Sequence, residues 1–298
     1  MSQLEDLGRL TAQSLGCELK ADAIASLYTL EEGLLVDPWG GGQAGRIALH
    51  EGLLCTLWQH PRVQPKTKPQ SMALEASPDA PSTHVRRLEA FDAIENILKA
   101  RPQKKTGLVS LAGWVVPGAT PRHQGEVGWE GSPAQALALA VAPLGALYAR
   151  MGNGFDWALI VPHALGLSPE AFEAARRAWA RLGYPVFSGL DEALAHASAH
   201  FEVPCEGHLY AQVAWNKQRV RTKSKRMYPP SPWQRELLVA VNRPPKWSEA
   251  GMPMIDASRL AVVEAILAKD PLAPARAKLY LAKPWEEQIC GAALRAAL

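Results

Sequence analysis

The sequence predicts an α+β protein: a helical N-terminal part, a mixed strand and helix central region with a basic antiparallel strand pair, and a helical C-terminal tail. Three observations support this. Apolar residues recur at helical spacing over 4–32 and 46–58. From residue 107 strand-like and helix-like stretches alternate. Between Trp215 and Tyr228, cations fall on every second residue, the period of a strand. At 298 residues and 48% hydrophobic, the chain is long enough for at least one substantial core. The expected division is an α+β body over 1–245, helical over 1–100 and mixed over 106–245, followed by a short helical segment over 246–298.

In order, residues 4–32 read as two short helices broken near Gly16 and Cys17, ahead of the apolar run Leu34-Leu35-Val36. Asp37-Pro38-Trp39 and three glycines turn the chain. Arg46 to Trp58 reads as a helix with Ile47, Leu49, Leu53, Leu54 and Leu57 on or near one face. His60 to Thr83 lacks periodicity and reads as an exposed basic loop carrying Arg62, Lys66 and Lys68. His84 to Lys99 is again helical. Leu108 to Val116 and Trp157 to Val161 are strand-like. Ser132-Pro133 and Ser168-Pro169 each open a helix, because serine caps free N–H groups and proline is preset for the first helical position. Val186-Phe187 is a short strand, followed by a helix with Leu190, Leu194, Ala197 and Phe201 inward. His208 to Ala214 leads into the cationic strand, with Glu236 to Val241 its expected antiparallel partner. Helices over 256–269, 275–282 and 285–297 complete the chain.

Composition narrows the function classes. Cys17, Cys55, Cys205 and Cys290 form no C-x-x-C pair, so neither a disulfide framework nor a cysteine-rich zinc module is expected. Acidic residues occupy the start MSQLEDLGRL, where a signal peptide needs basic then apolar residues. The longest apolar run, Ala136 to Ala149, is too short to span a bilayer and reads as a buried helix. The expected location is the cytoplasm, with no membrane partner.

The charge is concentrated. Lys217, Arg219, Arg221, Lys223 and Lys225 alternate, Arg226 follows, and no acidic residue lies between Glu206 and Glu236. The chain as a whole is only +3, so outside this stretch it is net acidic. A strand of alternating cations places five charges on one face, suited to a phosphate backbone whose neutralisation releases counterions without reading sequence. Trp215 and Tyr228 flank it as stacking groups. The alternative is a solvated edge strand guarded by lysines against mispairing.

Other motifs are weaker. Gly40-x-Gly42-x-x-Gly45 follows an apolar run and precedes a helix, as a dinucleotide turn does. Pro38 and Trp39 intervene, however, and the acidic ribose partner about twenty residues on is missing. His196 and His200, with Cys205 and His208, have spacing compatible with zinc, but both helical histidines fall at the boundary of the apolar face. Arg122-His123-Gln124 is a phosphate or base contact, or an endonuclease histidine without an evident partner. Neither clustered carboxylates, nor a phosphate-binding P-loop, nor a nucleophile elbow is present. No catalytic residue, metal or cofactor is expected.

Thr106-Gly-Leu-Val-Ser-Leu-Ala-Gly-Trp-Val-Val-Pro-Gly-Ala with Arg122-His123 resembles a signature of the large subunit of type I CRISPR effector (Cascade) complexes, in the branch first noticed in myxobacteria. Ala142-Pro143-Leu144-Gly145-Ala146, Ala158-Leu159-Ile160-Val161-Pro162 and Leu49-His50-Glu51-Gly52-Leu53 are similar to further elements in the same order, with Glu51 a departure. Val213-Ala214-Trp215-Asn216-Lys217-Gln218 with Arg219 and Arg221 resembles the family's Trp-x-x-Gln segment and its basic residues.

The resemblance implies a non-catalytic subunit of an RNA-guided DNA-surveillance complex. It would bind the guide RNA 5′ end and target double-stranded DNA, help recognise the target-flanking motif, and stabilise the opened DNA beside CRISPR backbone subunits. Trp215, Lys217, Gln218, Arg219, Arg221, Lys223, Lys225 and Arg226 are the expected contacts; of these Lys223, Lys225 and Arg226 lie beyond the matched motif. Arg122, Gln124 and Arg46, or the basic loop at Arg62, Lys66 and Lys68, are expected to reach the flanking duplex, and His123 is a further expected nucleic-acid contact. The chain is shorter than the family's members, which suggests a shortened variant. Its further partners are then a helicase-nuclease or, in a transposon-associated form, transposition proteins. The alternatives are a guide-RNA-processing endoribonuclease using His123, a nucleotide-dependent protein using the glycine turn, and an adaptor for an acidic partner.

Overall fold

A computed structural model describes residues 2–58, 67–75, 80–89, 98, 102–111, 129–152, 156–212, 219–244 and 254–282. Among these residues the fold is α+β, with nine helices and eleven strands.

Helix α1 (Ser2–Ser14) lies against α4 (Pro133–Gly145), and glycines set the distance. A Cβ on Gly8 would sit 1.9 Å from the Ala138 carbonyl oxygen, and one on Gly145 1.9 Å from Thr11 Oγ1. Only a missing side chain permits this approach. Helix α4 begins as its Ser-Pro sequence predicts. Ser132 Oγ accepts from the Gln135 N–H at 3.2 Å, and Gln135 Oε1 accepts from the Ser132 N–H at 2.9 Å, a reciprocal cap. Its last carbonyls take side-chain donors: Trp39 Nε1 on Leu144 at 2.7 Å, Tyr148 Oη on Pro143 at 2.9 Å, and Tyr28 Oη on Ala140.

Helix α2 (Ala21–Leu27) ends before a hairpin, β1 (Leu30–Glu31) with β2 (Leu34–Leu35). Glu32 and Gly33 both have positive φ, 50° and 76°, which a tight two-residue hairpin turn requires. The helical reading of 4–32 therefore runs too far. Helix α3 (Gly42–Cys55) starts earlier than the expected Arg46 and buries the predicted leucine face. Within the expected basic loop, β3 (Gln70–Ala73) pairs with β4 (Ser82–Val85), so that stretch is part sheet, and His84-Val85 are strand rather than helix. Lys68 is exposed; Arg62 and Lys66 lie outside the described residues, as does the rest of the proposed 84–99 helix apart from its flanks. Strand β5 (Val109–Leu111) pairs with β6 (Trp129–Gly131).

The main sheet has five strands in the order β11-β10-β8-β7-β9. They are β7 (Leu147–Met151), β8 (Asp156–Pro162), β9 (Val186–Phe187), β10 (Cys205–Gln212) and β11 (Arg219–Met227). All pairings are antiparallel except β7 with β9. The end of the long apolar run, read as helix, is strand β7. Helix α3 packs on one face, where a Cβ on Gly52 would stand 2.3 Å from Tyr148 Cβ. Helix α5 (Pro169–Ala180) is opened by Ser168 and buries Phe172, Ala175 and Trp179.

Helix α6 (Leu190–Phe201) covers the opposite face. Gly207 of β10 lets it lie close: a Cβ there would be 2.7 Å from Leu190 Cδ1. Behind α6 sit α7 (Pro232–Val241), α8 (Ala257–Leu267) and α9 (Ala273–Leu281), joined to Ala195 and Ala199 by a second apolar cluster. The expected strand over 236–241 is thus a helix. Its start repeats the Ser-Pro signal, with Gln234 Oε1 accepting from the Ser231 N–H at 3.2 Å and hydroxyl at 2.6 Å.

One buried ion pair joins these layers. Arg259 of α8 donates from Nε to Glu192 of α6 at 2.7 Å, from Nη2 to the Val186 carbonyl at 2.6 Å and from Nη1 to the Arg243 carbonyl at 3.2 Å. Glu192 also accepts from the Ser188 N–H at 2.6 Å, and the guanidinium lies 5.0 Å over Phe187. Every strong group is satisfied, which keeps the pair tolerable in the core. R259M strands the carboxylate and is expected to cost about 3–5 kcal/mol in denaturant unfolding followed by tryptophan fluorescence. The double variant E192L/R259M should lose less than R259M; a single variant within about 1 kcal/mol of wild type contradicts this role.

Candidate nucleic-acid interface

Strand β11 is the edge of the main sheet, antiparallel to β10, and residues 221–226 are all exposed. The register contains an irregularity: Leu209 faces Lys223, but Tyr210 faces Arg221, leaving Thr222 as an extra residue. This is a β-bulge, and beyond it the alternation changes faces. Paired residues share a face, so Lys223 and Lys225, opposite Leu209 and Gly207, lie on the α6 side. Arg221, Ser224 and Arg226, opposite Tyr210, His208 and Glu206, lie on the other. The single-face ribbon expected from strict alternation is therefore corrected to two faces.

The faces differ in their counter-ions. On the α6 side, Lys225 Nζ is 2.8 Å from Asp191 Oδ1 in the first turn of α6. On the other side, Arg226 Nη2 is 3.4 Å from Glu206 Oε2, and His208 Nε2 is 3.6 Å from Glu206 Oε1. His208 Nδ1 lies 3.0 Å from Ser224 Oγ. Burial holds His208 below its usual range; Arg221 adds to this and Glu206 opposes it. His163 is lowered by burial and by Arg226. Among the described residues, Arg221 and Lys223 have no carboxylate within salt-bridge distance. The counter-ions Asp191 and Glu206 were missed by sequence reasoning, although Glu206 marks the start of the acid-free stretch. Tyr228, a proposed stacking group, is 68% exposed at the end of the strand.

The other predicted contacts fare differently. Arg46 is engaged locally: Nη1 lies 3.0 Å from Glu31 Oε2, and Nη2 donates to the Glu31 carbonyl at 3.0 Å, tying α3 to the hairpin. Arg219 takes the register position opposite Gln212. Trp215, Lys217, Gln218, Arg122, His123 and Gln124 lie outside the described residues.

The glycine turn is a packing device. Asp37 Oδ2 accepts from the Gly41 N–H and Oδ1 from the Trp39 N–H, both at 3.0 Å, so the chain's own carboxylate occupies the N-terminus of α3. A Cβ on Gly41 would be 2.9 Å from the Ala180 carbonyl. His196, expected at a surface boundary, is fully buried, because α7 and α8 cover that side of α6. Its Nδ1 is 3.1 Å from the Leu238 carbonyl and its ring stacks on Phe187. His200 Nε2 lies 3.0 Å from Asn242 Nδ2. Among the described residues no group of three His, Cys, Asp or Glu side chains could hold a metal, and no helix is long and apolar enough to cross a membrane.

Residues 24–140 match the DevT N-terminal domain family. DevT is a Cascade-associated CRISPR protein of myxobacteria, and the match agrees with the branch the residues resemble. It takes in the second half of α2, α3, the three small strand pairs and most of α4, and stops before the main sheet and β11. No curated protein matches the chain.

Within the matched region, His50 is structural. Its Nδ1 accepts from the Leu35 N–H at 3.4 Å, and Nε2–H donates to the Arg86 carbonyl at 2.8 Å, binding α3 to the hairpin and to the segment after β4. Burial lowers its pKa from 6.5 to about 4. The neutral form is the folded one, so stability is complete above about pH 6.5 and falls as the unfolded chain takes up the proton on acidification toward 4. That shift corresponds to roughly 3 kcal/mol. Unfolding free energies at pH 7 and 4.5 should show a smaller acid loss in H50Q than in wild type; equal losses contradict the assignment.

Proposed function

We propose that the chain is a non-catalytic subunit of an RNA-guided type I CRISPR DNA-surveillance complex that holds the backbone of guide RNA or target DNA through β11. The observation that carries this reading is the exposed cationic edge strand, Arg221 to Arg226, set at the rim of a rigid sheet. The DevT match over 24–140 supports the kind of assembly. In that setting base pairing reads sequence while the protein supplies charge and shape. Helping to recognise the target-flanking motif, stabilising opened DNA, and working beside backbone subunits and a helicase-nuclease or transposition proteins in the cytoplasm all follow from the same reading.

The test is fluorescence anisotropy of the full chain with labelled single-stranded RNA and duplex DNA of unrelated sequences, over a salt series. The variant R221A/K223A/R226A should lose affinity for all sequences alike, with a salt slope shallower, for each phosphate contact removed, by about 0.9 on duplex DNA and about 0.7 on single-stranded RNA. Unchanged affinity and slope would exclude β11 as the contact.

A further inference from the structure

The bulge at Thr222 gives β11 two unequal faces, and only one suits a ligand. On the α6 side the helix already occupies the space over the sheet, and Asp191 engages Lys225 at 2.8 Å. A polyanion arriving there meets a carboxylate as well as Lys223. On the other side, helix α3 lies over β7 and β8, and β11 stands beyond it at the sheet's rim. There the bulge brings Arg221 onto the same side as Ser224 and Arg226, opposite Tyr210, His208 and Glu206, which follow one another at the two-residue stride of β10, about 6.7 Å per step. Two guanidinium forks with a hydroxyl between them match the geometry of phosphate oxygens better than ammonium groups do.

Glu206 is the informative residue on this face. Its two oxygens lie 3.4 Å from Arg226 and 3.6 Å from His208. His208 is itself only 5% exposed, and its other nitrogen is set by Ser224 at 3.0 Å. An arginine and a sheltered histidine thus converge on one carboxylate. The contact to Arg226 is a single long one, and the arginine remains half exposed.

We propose that the ligand-facing side of β11 is the one opposite α6, where Arg221, Ser224 and Arg226 receive backbone phosphates, and that Glu206 is a resident counter-ion which a phosphate displaces. This rests on the reading of β11 as the nucleic-acid contact and adds to it the face and the competitor. Glu206 then sets a threshold: a lone phosphate gains little over the carboxylate already present, whereas a strand that also reaches Arg221 gains a second contact. The ligand class is a phosphodiester chain rather than a single phosphate.

The test compares E206Q with D191N in the same anisotropy assay with single-stranded RNA at 0.15 M salt, where screening confines charge effects to about 8 Å. E206Q keeps the shape and frees Arg226, so binding should tighten several-fold with a salt slope steeper by about 0.7, the single-strand value for one phosphate. D191N should leave both unchanged, and E206Q/R226A should bind no better than R226A. Equal gains in E206Q and D191N would overturn the face assignment, as would a gain in D191N alone. An unaltered or weakened E206Q, with R221A/K223A/R226A still losing affinity, would refute the competitor while leaving β11 as the contact. If the triple variant binds as wild type, the reading of β11 fails and this inference with it.

Discussion

Helix α6 is covered on both sides, and Asp191 in its first turn is its one exposed residue. The main sheet lies beneath it and α7 to α9 lie above it, so a helix of only twelve residues buries Leu190, Leu194, Ala197 and Phe201 on one face and Glu192, Ala195, His196 and Ala199 on the other. A carboxylate in that position is costly unless it is paired, and Arg259 reaches it from a helix more than sixty residues later. The pair therefore does more than offset its own desolvation. It determines how the C-terminal helices sit on α6, while Gly207 determines how α6 sits on β10.

The consequence reaches the edge of the sheet. Because α6 is clamped from above, its first turn is fixed beside β11, where Asp191 meets Lys225. The bulge at Thr222 then sorts the remaining cations, leaving two lysines beside the helix and two arginines on the open side. Charge that looks uniform along the strand becomes asymmetric in space. The same stretch contains both an edge guarded by lysine and a strip suited to a polyanion.

What was legible in the sequence is what local chemistry decides. Ser132-Pro133 and Ser168-Pro169 announce helices because a cap and a preset φ act within one turn. Ser231-Pro232 carries the same signal, but Leu237-Leu238-Val239 after it read as a strand, since short apolar runs do not distinguish the two periods. The continuous run ending at Ala149 hid the change from α4 to β7 for the same reason. Long-range facts were out of reach. His196 sits at a wheel boundary until α7 and α8 cover it. The bulge leaves no mark in a row of alternating cations, so the strand was legible and the split between its faces was not. In the same way, Asp191 and Glu206 become counter-ions only once α6 and β10 are in place.

On the proposed reading of β11, its arginine face meets a nucleic-acid backbone while its lysine face does not. Residue-specific chemical footprinting with mass spectrometry measures this directly, using arginine- and lysine-selective reagents on the full chain with and without saturating single-stranded RNA. Arg221 and Arg226 should be protected while Lys223 keeps its reactivity. Protection of Lys223 with Arg221 left reactive, under conditions where the RNA is bound, would contradict the account.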